Sequence, residues 1–262
     1  MNRVKRLLIG LFFWGISMAL GGCGRMYTKE DMERYAEERL EEKYGEEFEV
    51  CDFGNINGSV FEVYAYPKNN PDIIFEASYN VKVEGVNENE YDYYIEELIA
   101  AQYKKIAEES MEGLGYEYYI DIDLGRQDRD VPLTNTSITI AEYSEITEKR
   151  FASPLCEIYM TYDVLNEGDE YIYNYLCNIR NNMICYVSVY VVETTDFQKI
   201  IEDYATKSKT QGEVSRLLTY KYSNIGNGER KGYFNFAWPD TWETSYEDFE
   251  EIMKEVREDA KL

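Results

Sequence analysis

Hydrophobic period changes along this chain in an order that a regularly alternating α/β fold does not accommodate. Thr28-Lys29-Glu30-Asp31 reads as a capping box, and Met32, Tyr35, Ala36, Leu40 and Tyr44 follow at helical spacing as far as Gly45. Strand-like segments come next, at Phe48 to Phe53, Val60 to Tyr66 and Ile73 to Val83. Gly54 to Gly58 and Lys68 to Asp72 punctuate them as turns. A second helix is expected over about Glu90 to Glu112, stopped by Gly113 and Gly115, with Tyr116 to Leu124 a strand beyond it. The second half reads as strands at Ser137 to Tyr143 and Leu155 to Val164. A hairpin of Glu170 to Ile179 with Met183 to Val192 follows. A capping box at Thr195-x-x-Gln198 opens an amphipathic helix, Val214 to Tyr222 fits helix or strand, and Lys231 to Trp238 is a strand. Ser245-x-x-Asp248 caps a last helix carrying Phe249, Ile252, Met253 and Val256. This order predicts an α+β fold: antiparallel sheets flanked by amphipathic helices, with a helix at each end of the mature chain.

Ahead of Thr28 lies a different kind of segment. Arg3, Lys5 and Arg6 precede the apolar run Leu7 to Leu20, which is short for a membrane span and ends in small residues, the layout of an export signal. Its exit, Leu20-Gly21-Gly22-Cys23, resembles the lipobox of bacterial lipoproteins, with Gly21 where Ala, Ser or Thr is commoner. The resemblance implies that residues 1–22 are a cleaved signal peptide. It implies that Cys23 carries a covalent diacylglycerol and N-acyl lipid (palmitate-type), and that residues 23–27 are anchor and short tether. The protein would then sit in the cell envelope, on the outer face of a plasma membrane. The abundance of Lys, Glu, Asn, Ile and Tyr points to a single-membrane bacterium. The expected organisation is an N-terminal α+β lobe at 28–125 and a strand-rich C-terminal α+β lobe at 126–262, which can merge into one domain. The polar Gly125 to Asn135 stretch marks the boundary.

Charge narrows the partners. The whole chain has a net charge of −24, and losing the three basic residues of an acid-free leader takes it to −27. Nucleic acid is disfavoured, because its binders need a basic footprint. Electrostatic adhesion to an anionic bilayer is disfavoured too, so attachment falls to the acyl chains. A basic protein or peptide, or a divalent cation, would suit this charge, although an acidic surface also serves solubility alone. The chain has no histidine, which removes Ser-His-Asp and Cys-His nucleophiles and most catalytic zinc sites. Carboxylate-pair chemistry survives, so composition disfavours an enzyme without excluding one.

Candidate site residues follow from the remaining patterns, and no catalytic residue, metal site or cofactor is among them. Apart from Cys23 the mature chain has Cys51, Cys156, Cys177 and Cys185, with no C-x-x-C spacing. Cys177 and Cys185 face each other if the hairpin loop is Arg180 to Asn182, making a cross-strand disulfide possible beside the alternative of two buried thiols. Cys51 and Cys156 read as core. Tyr171, Tyr173 and Tyr175 would share one strand face as an aromatic ribbon, and Trp238 and Trp242 bracket a loop; both groups are candidate partner-binding aromatics or simple packing. Asp121-x-Asp123-x-Gly125 lacks a closing glutamate and carries Arg126 and Arg129, so it reads as a charged turn rather than a calcium loop. The function expected from all this is a membrane-anchored, acidic, non-enzymatic partner-binding module. Alternatives are an immunity or antagonist lipoprotein against a basic exported toxin, or a carboxylate-based cell-wall hydrolase.

Overall fold

The computed structural model describes residues 27–81, 90–124, 133–147, 154–183, 185–206, 233–238 and 242–260. The lipobox and Cys23, most of the Gly125 to Asn135 boundary, and Val214 to Tyr222 lie outside the described residues. The fold is α+β. Helix α1 (Lys29–Tyr44) leads into strands β1 (Phe48–Asn57), β2 (Val60–Pro67), β3 (Phe75–Asn80) and β4 (Tyr91–Asp92), which form an antiparallel meander in chain order. Helix α2 (Tyr94–Ser110) then passes to a second sheet of β5 (Tyr118–Asp123), β6 (Leu155–Thr161), β7 (Tyr186–Val192), β8 (Tyr233–Trp238) and β9 (Trp242–Glu243). Helices α3 (Ile140–Thr147), α4 (Asp169–Asn182), α5 (Thr194–Thr206) and α6 (Tyr246–Ala260) are interleaved with these strands.

The first body is built largely as its local chemistry dictates. The Thr28 Oγ1 accepts from the Asp31 N–H at 3.1 Å while the Asp31 carboxylate accepts from the Thr28 N–H at 3.2 Å, closing the capping box. At the other end Gly45 takes φ +74° and donates its N–H to the Glu41 carbonyl at 2.8 Å. Met32, Ala36 and Leu40 pack α1 onto Phe48, Phe61, Val63, Ala65, Phe75 and Tyr79 of the sheet. The β1–β2 turn falls on Gly58 and Ser59 rather than across Gly54 to Gly58. Gly58 has φ +67°, as a two-residue hairpin turn that matches strand twist requires. β1 runs on through Gly54 because two bulges absorb extra residues. One lies between Val50 and Asp52, the other between Phe53 and Ile56.

The second body departs from expectation in three places. Asp169 to Asn182 is a helix, not the first arm of a hairpin, so β6 and β7 lie parallel with α4 as their crossover. The second sheet is therefore mixed rather than antiparallel. Ile172, Leu176 and Ile179 bury the helical stripe of α4. Tyr171, Tyr173 and Tyr175 fill the intervening positions and imitate strand alternation. Likewise Ile140 to Thr147 is helical, because Thr139 and Glu142 form a capping box: the Glu142 carboxylate accepts from the Thr139 N–H at 2.8 Å. α5 begins at Thr194, placing Thr195 inside its first turn instead of at its cap.

Two cores result, joined through α2. That helix turns Tyr94, Leu98 and Ala101 towards the first sheet and Ile95, Ile99, Tyr103 and Ala107 towards the second. Beneath the second sheet, Ile120, Ile158, Val187, Val189 and Val191 pack with α2, α4 and α6. β5, expected in the N-terminal lobe, is hydrogen-bonded into this second sheet. Arg257 of α6 clamps α4 by donating to both Asp169 carboxylate oxygens and to the carbonyls of Leu165 and Glu167.

Candidate functional site

The face of the second sheet turned away from its main core carries two parallel rows of polar side chains. Register places Tyr119 of β5 opposite Tyr159 of β6, and Tyr159 opposite Tyr190 of β7; Tyr233 holds the next position on β8. One step along the strands, Asp121, Glu157, Ser188 and Asn235 take the corresponding positions. The same spacing of a tyrosine two residues from a polar side chain thus recurs on β5, β6 and β7, its order inverting with strand direction, with Tyr233 and Asn235 at the matching register positions of β8.

α5 covers the tyrosine row. Phe197 and Ile200 pack with Val192, Tyr159 and Tyr190 into a small second core, against which Tyr119 and Ile201 rest half-buried. The Tyr159 and Tyr190 rings stack face to face, centroids 4.8 Å apart and planes 11° from parallel. Their hydroxyls are not spent inside this core. Tyr190 donates to Glu157 Oε1 at 2.9 Å and Tyr159 donates to Glu157 Oε2 at 3.2 Å, so both carboxylate oxygens are held in place. Glu157 is half-buried at the edge of the stack. Burial pushes its carboxyl above the usual range, with a smaller push from Asp123, while the two tyrosine hydroxyls pull it back. Lys104 Nζ sits 4.4 Å from the ring centroid of Tyr119, on the neighbouring strand β5. The arrangement is a preorganised carboxylate on an aromatic bed, suited to receiving a cationic group from outside. Among the described residues no three Cys, Asp or Glu side chains converge as ligands of a metal ion would.

A second acidic group serves the fold. Asp92, 3% exposed, accepts from Lys43 Nζ at 2.7 Å, from the Tyr44 hydroxyl and from the Tyr94 N–H, tying α1 to β4 and the start of α2.

The residues singled out from sequence are placed otherwise. Tyr171, Tyr173 and Tyr175 lie on helix α4, so they form no strand ribbon. The Tyr171 hydroxyl donates to the Leu114 carbonyl at 2.6 Å, and the Tyr173 hydroxyl donates to the Thr244 carbonyl at 3.2 Å. The Tyr173 ring packs on Tyr246 and Phe249, and the Tyr175 ring packs edge-on against Tyr171. These contacts hold α4 to its neighbours. Trp238 and Trp242 are paired in register across β8 and β9, and residues 239–241 between them lie outside the described residues.

Cys177 lies on helix α4 and Cys185 at the entry to β7, with no disulfide between them, so the cross-strand register that would bridge them does not exist. Cys185 instead neighbours Cys156, whose thiol is held well above its ordinary titration range by the hydrogen bond between them and by burial. Cys156 is core as expected, but Cys51 is exposed: it is the extra residue of the first β1 bulge, its thiol donating to the Tyr64 carbonyl at 3.3 Å.

Comparison with known proteins adds fold and no activity. A family described as a domain of unknown function (DUF5037) matches residues 33–151, from within α1 to beyond α3. The crystal structure of a DUF5037 family protein from Ruminococcus gnavus ATCC 29149 is similar over 85% of this chain and 99% of that one. The two superpose with a TM-score of 0.60 at 19% sequence identity, a likeness of fold. No curated protein matches the chain. No helix among the described residues is long and apolar enough to cross a membrane.

Proposed function

We propose that this chain is a lipid-anchored, extracytoplasmic binding module that captures a basic protein or peptide through its acidic body, with Glu157 at the centre of the contact. The leader and Leu20-Gly21-Gly22-Cys23 support anchoring at Cys23. The mature net charge of −27 supports a cationic partner, since opposite charge speeds encounter and disfavours acidic competitors. The observation that carries the reading is the fixing of both Glu157 oxygens by Tyr159 and Tyr190. A carboxylate already oriented and partly desolvated loses little further freedom when a lysine or arginine meets it. A cationic head can also sit over a neighbouring aromatic face, as the Lys104 ammonium already does over Tyr119.

The test is capture with the acylated mature protein in detergent, followed by titration of the recovered partner against wild type and Glu157→Gln. The expected result is a stoichiometric basic partner whose affinity falls steeply with salt and drops at least several-fold in Glu157→Gln. A partner whose affinity is indifferent to both salt and Glu157→Gln would refute the site.

A further inference from the structure

The tip of the β1–β2 hairpin lies at the end of the molecule from which the chain leads back to Cys23. α1 and β1 run antiparallel. Tyr44, at the end of the helix, packs on Phe48 at the start of the strand with ring centroids 5.9 Å apart, and Lys29, at the start of the helix, sits 5.0 Å over the Phe53 ring. Beyond Phe53 the strand still has four residues to run, Gly54 to Asn57. The helix rises about 22 Å from Lys29 to Tyr44, whereas β1 spans about 25–30 Å from Phe48 to Asn57. The hairpin therefore projects past the first turn of α1. Tyr27 joins the two: its hydroxyl donates to the Val81 carbonyl at 3.4 Å, and the Val81 N–H donates to the carbonyl of turn residue Ser59 at 3.1 Å. Cys23 is four residues ahead of Tyr27, at most about 14 Å of extended chain.

The projecting tip lacks the charge that marks the rest of this chain. Phe53 to Phe61 holds nine residues without a charged side chain, in a protein of which 30% of residues are charged. Its apolar side chains are bare: Ile56 is 44% exposed and Val60 43%. Ile56 pairs with Phe61, which is fully buried beneath α1, so Ile56 continues the inner apolar face beyond the helix that covers it. Val60 adjoins it on the opposite face of the hairpin, paired with Asn57, so each face of the tip bares one apolar side chain; the Glu62 carboxylate lies further back on that second face, accepting from the Asn55 N–H at 2.9 Å. Elsewhere the acidic body opposes approach to an anionic surface; at the tip the one carboxylate that reaches in, Glu62, is engaged by the Asn55 N–H among the described residues, and Lys29 adds a cation at the base beside Phe53.

We infer that the Ile56–Val60 hairpin tip is a membrane-contact element, seated in the headgroup region of the bilayer that holds the protein. This rests on the acylation of Cys23 proposed above. A lipid attached so few residues from Tyr27 holds the tip at the surface, and a second contact point there sets how the body stands on the membrane. Attachment by acyl chain and hairpin tip together also strengthens retention beyond what a single chain gives.

Hydrogen exchange on the acylated protein in vesicles of phosphatidylcholine with a minority of phosphatidylglycerol tests this. The mass of the N-terminal peptide is read from the same sample. The expected result is an acylated Cys23 peptide together with several-fold slower exchange in peptides covering Gly54 to Val60 than in unanchored Cys23→Ser protein, with peptides of α6 unchanged. Anchored Ile56→Glu/Val60→Glu loses that protection, as does the milder Ile56→Asn/Val60→Thr, which keeps the turn residues and guards against misfolding. An acylated, vesicle-bound protein whose tip exchanges as fast as the soluble form overturns the inference while leaving the anchor standing. An unmodified Cys23 overturns both, and the peptide mass tells the two failures apart.

Discussion

The two bodies of this protein are assembled by different means. The first is a meander in chain order under one capped helix, each strand pairing with its predecessor. The second also keeps chain order, yet β6 and β7 are parallel, so α4 must cross between them and the sheet depends on contacts distant in sequence. Local signals are enough to specify the first arrangement. In the second, the identity of α4 decides strand direction, and with it which residues stand side by side on the candidate site. A helix misread as a strand there would separate Glu157 from Tyr190.

The largest expected effect comes from breaking that crossover. Leu176→Pro should cost at least about 3 kcal/mol, because proline removes a helical hydrogen bond and clashes with the preceding turn, and Leu176 is fully buried. Denaturant unfolding of the purified variant measures it; a loss well under that size would mean residues 169–182 are not helical. The first body has its own vulnerable point in Asp92. Asp92→Ala removes the carboxylate that Lys43 and the Tyr44 hydroxyl share. Removing one partner of a buried pair typically costs more, but Lys43 keeps some access to water, so about 2–3 kcal/mol is expected by the same measurement.

A smaller effect tests the bulge that carries β1 out to its tip. A Cβ at Gly54 would lie 2.8 Å from Glu62 Cβ, which cannot swing aside as a side-chain end can. Gly54→Ala should therefore cost about 1–3 kcal/mol through overpacking, whereas Gly58→Ala strains the turn through its φ of +67° instead. Equal stability of Gly54→Ala and wild type would contradict the bulge register.

The smallest effect is a pH dependence at Glu157. Its titration is raised in the folded chain, chiefly by burial. The folded state thus binds that proton more tightly than the unfolded state. The resulting stabilisation is complete below the unfolded titration range and is lost as pH rises through the folded one. Relative to Glu157→Gln, wild type should gain stability as pH is lowered from neutral to acid. Melting curves of the two proteins that keep a constant separation would show that the carboxyl is not perturbed.

How much of this could be read from the residues alone follows the same division. The α1 capping box, its Gly45 stop, and the caps and apolar stripe of α6 depend on neighbours within a turn, and they were legible. α4 was not, because three tyrosines at alternate positions overlay a strand period on a helical one, and only the buried Ile172, Leu176 and Ile179 resolve the conflict. Ile138, Thr139 and Ile140 misled in the same way, their β-branched side chains outweighing the Thr139–Glu142 cap. The site was half legible. Alternation along β6 already set Glu157 on the face opposite Cys156, but its tyrosine partners belong to pairings no single strand reveals. The signal that could have found them is the repeated spacing Tyr119-x-Asp121, Glu157-x-Tyr159, Ser188-x-Tyr190 and Tyr233-x-Asn235, whose order flips with strand direction.

Anchoring at Cys23 is the premise of the proposed extracytoplasmic location and of the proposed membrane contact at the hairpin tip. The direct measurement is fractionation of cells producing wild-type and Cys23→Ser chains, with the intact mass of each recovered protein. Wild type is predicted in the membrane fraction, beginning at Cys23 and heavier than its polypeptide by the mass of acyl chains, with Cys23→Ser unacylated and released from the membrane. A wild-type protein that carries no lipid, or a Cys23→Ser protein that stays with the membrane after leader removal, would contradict the account.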